Sequence, residues 1–139
     1  MGFTQWYLRR GRIDRRTWWR QYTLPLMALS VLALLADVSV GNTDLADVAA
    51  GGSLYGPVLV AVVVLTAPAS LSSSAARLHD RGLSAWWLLV GVVPYVGGVA
   101  LLVLNGFLRG DGGPNRYGPP NSLPPRAAEQ PLYPPPSWS

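Results

Sequence analysis

The chain contains no cysteine, which excludes disulfide staples and thiolate metal sites and leaves the redox compartment open. It has no lysine either, so every one of its 11 basic residues is arginine. Charge as a whole is scarce: 13% of the residues carry it, against about 25% in ordinary soluble domains, while 50% are hydrophobic. With His79 as the only histidine there is no second imidazole for a zinc site, and no nearby serine or cysteine nucleophile to complete a triad.

What is present is apolar and clustered. Three long apolar runs, at about 24–40, 54–71 and 86–108, stand where a soluble chain would scatter its hydrophobic residues at helix or strand period. A run of about 20 residues crosses the ~30 Å hydrocarbon layer as a helix. The expected fold is therefore an all-α membrane protein, a bundle of three transmembrane helices preceded by a basic N-terminal interfacial segment. Residues 1–118 form the transmembrane domain, and 119–139, rich in proline, a flexible tail whose Pro134–Pro136 and Trp138 could dock an aromatic groove. A secretory signal peptide is the competing reading of residues 1–50, although further apolar runs follow it.

Polar residues inside the runs receive individual expectations. Pro25 falls in a first helical turn, where proline is tolerated, and Asp37 lies near enough to a span end to reach headgroups or water. Between Thr66 and Ala76 the small Ala and Ser residues should let a neighbour approach closely inside the bundle. Pro94, Gly97 and Gly98 should bend or break the third run near its middle.

Charge placement orients the chain. Arg9, Arg10, Arg12, Arg15, Arg16 and Arg20 precede the first run, residues 41–53 carry no basic residue, and Arg77 and Arg81 follow the second run. Excess arginine marks the cytoplasmic side, so the N-terminus is expected in the cytoplasm of a multi-pass protein of the bacterial plasma (inner) membrane. Three crossings would place Arg109, Arg116 and Arg126 outside, a conflict that a re-entrant third segment would remove. The net charge of +4 follows from these flanks; no nucleic-acid reader motif accompanies it, and nucleic acid is not expected as a partner.

Four polar strings crowd the ends of the runs: Gly11-Arg12-Ile13-Asp14-Arg15-Arg16-Thr17-Trp18-Trp19, Arg77-Leu78-His79-Asp80-Arg81, Ser84-Ala85-Trp86-Trp87, and Gly110 to Gly118 with Asn115-Arg116-Tyr117-Gly118 at its end. Together with Trp6-Tyr7-Leu8 and Pro94-x-x-Gly97, in this order, they resemble the YhaH/YhaI family of bacterial inner-membrane proteins, catalogued as domain of unknown function 805. The resemblance covers roughly residues 6–119. It implies fold and location, with no reaction, substrate or cofactor attached.

The strings also supply the candidate site. Trp18, Trp19, Trp86 and Trp87 sit where apolar runs meet charge, and indole prefers that interface. Beside them Arg12, Arg15, Arg16, Arg20, Arg77 and Arg81 complete an arginine and tryptophan collar that would attract anionic membrane lipids at ~1 kcal/mol per basic side chain. His79 and Asp80 belong to the same loop, and Asn115 and Arg116 could hydrogen-bond back to the bundle end or to headgroups. The leading reading is a non-enzymatic membrane module binding lipid or a membrane-protein partner, a homo-oligomer included. The alternative is a small transporter or channel component acting as an oligomer, with Asp37 and Asn105 along a path. No catalytic residue, metal or cofactor is expected.

Overall fold

The computed structural model describes residues 2–94 and 96–120, so residues 121–139, with Pro134–Pro136, Trp138 and Arg126, fall outside it. Among the described residues every regular element is helical. Two helices are long and apolar enough to cross a membrane, Arg15–Ser39 and Pro57–His79.

The first long helix starts earlier than its apolar run because Asp14 caps it, its carboxylate accepting from the Thr17 N–H at 3.1 Å. Pro25 is thereby placed inside a continuous helix instead of at its start. Proline has no N–H to give back one turn, which frees the Gln21 carbonyl. The Trp6 indole N–H fills that vacancy at 2.9 Å, and the turns just before Pro25, Trp18–Thr23, relax to the wide π form.

The second long helix is capped by the first. Its opening N–H groups at Val58 and Leu59 donate to the Asp37 carboxylate at 3.1 and 2.7 Å, and the Asn42 amide adds a third bond at 3.1 Å. Asp37 is wholly buried, so it does not reach out to headgroups or water as its position near a helix end suggests. An anion beside a helix N-terminus meets both the unpaired N–H groups and the positive end of the helix dipole. Gly56 leaves room for it, since a Cβ there would overlap the carboxylate.

At the other end the small residues of the second helix do admit close neighbours, the first turns of the first long helix and the N-terminal segment before it. Ala69, Ser73 and Ala76 are buried there. The Ile13 N–H donates to the Ala76 carbonyl at 3.3 Å, the Arg9 N–H to Ser72 Oγ at 3.1 Å, and the Ser72 hydroxyl to the Tyr7 carbonyl at 3.1 Å. A short helix, Phe3–Tyr7, leads into this segment, and Trp6 stacks on Tyr22 with ring centroids 5.5 Å apart. Ile13, Trp18, Tyr22 and Ala76 form the buried cluster, with Trp6 and Trp19 against it.

The third apolar run is not one helix. A 3-10 limb, Ala85–Val92, is followed by a helical limb whose last turns are again wide, Val96–Phe107. The break around Pro94 is a reversal: a Cβ on Gly97 would overlap the Val90 carbonyl and lie 2.9 Å from the Gly91 Cα, so the two limbs touch backbone to backbone. At ~2 Å per residue the first limb is about 16 Å long, and at ~1.5 Å per residue the second is about 18 Å. Each is about half the ~30 Å needed to cross. Both ends of the hairpin lie at the C-terminal end of the second long helix, where Arg77 Nε donates to the Asn105 carbonyl at 2.9 Å and the Asp111 N–H to the Asp80 carbonyl at 2.8 Å.

Candidate functional site

The polar strings converge on one buried node. Asp80 accepts Arg12 Nε on Oδ1 at 3.1 Å and Arg77 Nη1 on Oδ2 at 2.5 Å, with both guanidiniums and the carboxylate withdrawn from solvent. Arg12 also donates from Nη1 to the carbonyls of Gly113 at 2.8 Å and Gly118 at 2.9 Å, and from Nη2 to those of Asp80 at 3.3 Å and Asp111 at 2.7 Å. A guanidinium has five N–H donors in a planar fork, and all are used here. Arg77 reaches the Asn105 carbonyl and, with Nη2, that of Leu108. Burial pushes the Asp80 carboxyl above its ordinary range, and the two arginines pull it back.

Around the node the loop after the hairpin is pinned residue by residue. Asn115 donates from Nδ2 to the His79 carbonyl at 3.0 Å and to Asp111 Oδ2 at 2.9 Å, while its Oδ1 accepts from the Tyr117 N–H at 2.9 Å. Backbone bonds between Asn115 and Gly118 close a tight turn, with Gly118 at φ 108°. The His79 ring stacks on Tyr117, 3.9 Å between centroids. Arg116 lies over the other partner of that stack, 4.9 Å from the Tyr117 centroid, and donates to the Gly82 carbonyl at 2.9 Å. Gly110 passes so close to Asp80 that a Cβ would overlap the carboxylate.

The expected collar thus divides into an interior and an exterior. Arg12, Arg77 and Asp80 are buried and engaged with one another and with backbone carbonyls, so their charges are not offered to a headgroup. Trp18 is buried, and Trp19 donates its indole N–H to the Gly106 carbonyl at 2.9 Å, a contact that needs glycine because a Cβ would come within 2.9 Å of the indole. Trp86 is 77% exposed and Trp87 46%, at the start of the 3-10 limb. Arg15, exposed, donates to the Phe107 carbonyl at 3.0 Å; Arg81, half-buried, to that of Leu104 at 3.3 Å. His79 and Asn115 are half-buried in the clasp, and Arg116 is exposed at its edge.

A polar cavity of about 470 Å³ opens beside the node, lined by Arg15, Arg16 and Arg109 together with Asp14, Asp80, Asp111 and the Gly110–Gly112 backbone. Arg109 was not among the candidate residues, and the spacing of the sequence gives no sign that it would line a cavity with Arg16 of the expected collar. Asp37 and Asn105, imagined along one path, are at opposite ends of the second long helix: the first caps its start, and the backbone of the second binds Arg77 near its finish.

The chain matches, over residues 7–119, the model of a family described as protein of unknown function (DUF805). It is also 30% identical over 128 residues to the inner membrane protein YhaH of Escherichia coli strain K12, an alignment covering 86% of this chain and 98% of the relative. The counterpart in Escherichia coli O157:H7 shows the same identity and coverage. No solved structure matches the chain significantly.

Proposed function

The chain belongs to the DUF805 family of proteins of unknown function, and from that footing we propose that it is a non-enzymatic module of the bacterial inner membrane whose cytoplasmic face binds anionic lipid headgroups. It is an integral membrane protein, and an inner-membrane location is supported by its similarity to an inner membrane protein and by the two long apolar helices. The N-terminus is cytoplasmic in this reading. The two long helices cross, and the third run dips in and returns to the inner side. Arg77, Arg81, Arg109 and Arg116 then share one side with the six N-terminal arginines, as the preference of arginine for the cytoplasm requires.

The observation that carries the lipid reading is the exposed arginine surface held in place by the buried node. Arg10, Arg15, Arg16, Arg20, Arg109 and Arg116 are exposed, while the node fixes the loops that bear Arg109 and Arg116. A rigid array loses little entropy on engaging headgroups, and each basic side chain near an anionic surface contributes ~1 kcal/mol. The test is binding of purified full-length protein to phosphatidylglycerol and to phosphatidylcholine. An R10Q/R16Q/R109Q variant, which leaves the node intact, should lose on the order of a hundredfold of its preference for phosphatidylglycerol. Equal retention of the two lipids by the wild type would overturn the proposal.

A further inference from the structure

The polar cavity beside the node holds charges of both signs that do not neutralise one another. Of the acids lining it, only Asp80 is in an ion pair among the described residues, and its partners Arg12 and Arg77 are not part of the lining. Asp14 and Asp111 are in none, although each stands two residues from an arginine of the same cavity, Arg16 and Arg109. Those two arginines in turn make no hydrogen bond or ion pair among the described residues. At about 470 Å³ the space is within the ~300–1,000 Å³ range of small-molecule sites.

Each carboxylate is held away from its neighbouring arginine by a donor of its own. Asp14 Oδ1 accepts from the Thr17 N–H at 3.1 Å, and Asp111 Oδ2 from the Asn115 amide at 2.9 Å. Both acids are thus anchored by one oxygen, with the other left for a ligand. Arg15, the third arginine of the lining, is drawn off to the Phe107 carbonyl at 3.0 Å. For a purely anionic ligand the two free carboxylates are a penalty, and for a cation the two free guanidiniums are. A group that carries a phosphate and a primary ammonium answers both. Guanidiniums take phosphate oxygens in paired N–H bonds, and an ammonium has three donors to give to carboxylates.

We infer that this cavity seats a phosphate–ammonium zwitterion, the phosphoethanolamine headgroup of a membrane lipid, with the phosphate on Arg16 and Arg109 and the ammonium on Asp14 and Asp111. Apolar surface next to the cavity favours the lipid over soluble phosphoethanolamine. Phe107 and Leu108, 60% and 40% exposed, lead directly into Arg109, and Trp19 meets the Phe107 ring edge-on at 6.3 Å between centroids. Acyl chains have a use for that surface and a free headgroup has none. The inference rests on the lipid reading above for the contact of this face with the membrane. To an attraction that responds to net charge it adds one site that distinguishes headgroups by their hydrogen-bond donors.

The test gives full-length protein in detergent an equimolar mixture of phosphatidylethanolamine, phosphatidylcholine and phosphatidylglycerol, and native mass spectrometry counts the lipids retained. Phosphatidylcholine has the same phosphate but a quaternary nitrogen without N–H donors. Phosphatidylethanolamine should be kept over it about tenfold, the effect of one charge-assisted hydrogen bond. Asp14→Asn with Asp111→Asn removes both charges and keeps both acceptors, since asparagine also caps helices. It should bring that ratio near one while the preference for phosphatidylglycerol over phosphatidylcholine persists. Equal retention of phosphatidylethanolamine and phosphatidylcholine by the wild type would overturn the inference, as would an unchanged ratio in the double variant. Excess soluble phosphoethanolamine should leave the lipid in place; displacement would overturn the lipid assignment and give the cavity to a soluble zwitterion. R10Q/R20Q, whose arginines lie outside the cavity, should weaken the phosphatidylglycerol preference alone. A protein that prefers phosphatidylglycerol but treats the other two alike sinks this inference and leaves the headgroup reading standing. One that keeps phosphatidylethanolamine over phosphatidylcholine yet ignores phosphatidylglycerol does the reverse.

Discussion

Asp80 divides its carboxylate between two guanidiniums that come from distant parts of the chain, Arg12 on one oxygen and Arg77 on the other. One acid therefore ties the N-terminal segment to the end of the second long helix, and the Arg12 fork carries the tie on to the carbonyls of Asp111, Gly113 and Gly118. Removing one partner of such a buried pair strands the other without water, at a cost of about 3–5 kcal/mol. Asp80→Asn is expected to lower the unfolding midpoint of the protein in detergent strongly and to expose the 110–118 loop to protease. An unchanged midpoint and protease pattern would show that the node does not hold the fold.

Arg12→Lys keeps the charge and should still destabilise. An ammonium has three donors on a point and cannot serve the carbonyls that the planar fork reaches together. The expected loss is a few kcal/mol, made up of carbonyls left unpaired at roughly 1–3 kcal/mol each when buried. Full rescue of folding by lysine would mean that the node needs charge alone.

The glycines separate close packing from mere flexibility. Gly110→Ala and Gly97→Ala each drive a Cβ into an atom that cannot easily yield, the Asp80 carboxylate in one case and the Val90 carbonyl in the other. Both should destabilise. Gly98→Ala, one residue along the same limb, meets nothing within 4 Å and should be neutral or slightly stabilising, since alanine is the better helix former. Thermal unfolding of the three variants side by side checks this ordering.

Much of this was legible in the sequence, and the limits were physical. Apolar runs and arginine placement require no tertiary information, so helical class and the first two spans followed from counting. The ends of the long helices did not. Asp14 and Asp37 both act as caps, yet a cap is recognisable only when the N–H groups it serves are known, and those served by Asp37 belong to the other helix, at Val58 and Leu59. The third run was long enough to span by composition, and its reversal depends on Gly97 packing against Val90, a contact that no residue count reveals. The strings containing Arg12, Arg77, Asp80 and Asn115 stood out by density, but density could not tell a surface collar from a buried clasp. Arg109 was missed because only folding brings it to the same cavity as Arg16.

Asp37→Ala tests the cap at the opposite end. It removes the acceptor of the Val58 and Leu59 N–H groups, and loss of a cap costs about 0.5–2 kcal/mol, toward the upper end where the groups are buried. The effect should be local. Amide exchange should rise in the first turn of Pro57–His79 while the protection of residues 72–80 is retained. A uniform rise over the whole helix would mean that Asp37 holds the two long helices together and does not act as a cap alone.

The direction of the third run decides which face of the protein carries its charge, and the absence of native cysteine makes that face directly measurable. If the run crossed, the loop bearing Arg109 and Arg116 would lie outside, and Arg12 could not reach Asp111, Gly113 and Gly118 without leaving its own side of the membrane. In the proposed topology Arg12, Arg77 and Asp80 lie in one node on one side, and the hairpin returns to the side from which it entered. Single cysteines replacing Gln5 and Pro119, both exposed, should then react with a membrane-impermeant maleimide only after the inner membrane is opened. A cysteine replacing Asp47, in the short exposed helix Leu45–Ala49, should react in intact spheroplasts. If the cysteine at 119 reacted together with that at 47, the third run would cross the membrane, and the arginine surface would be split between its two faces.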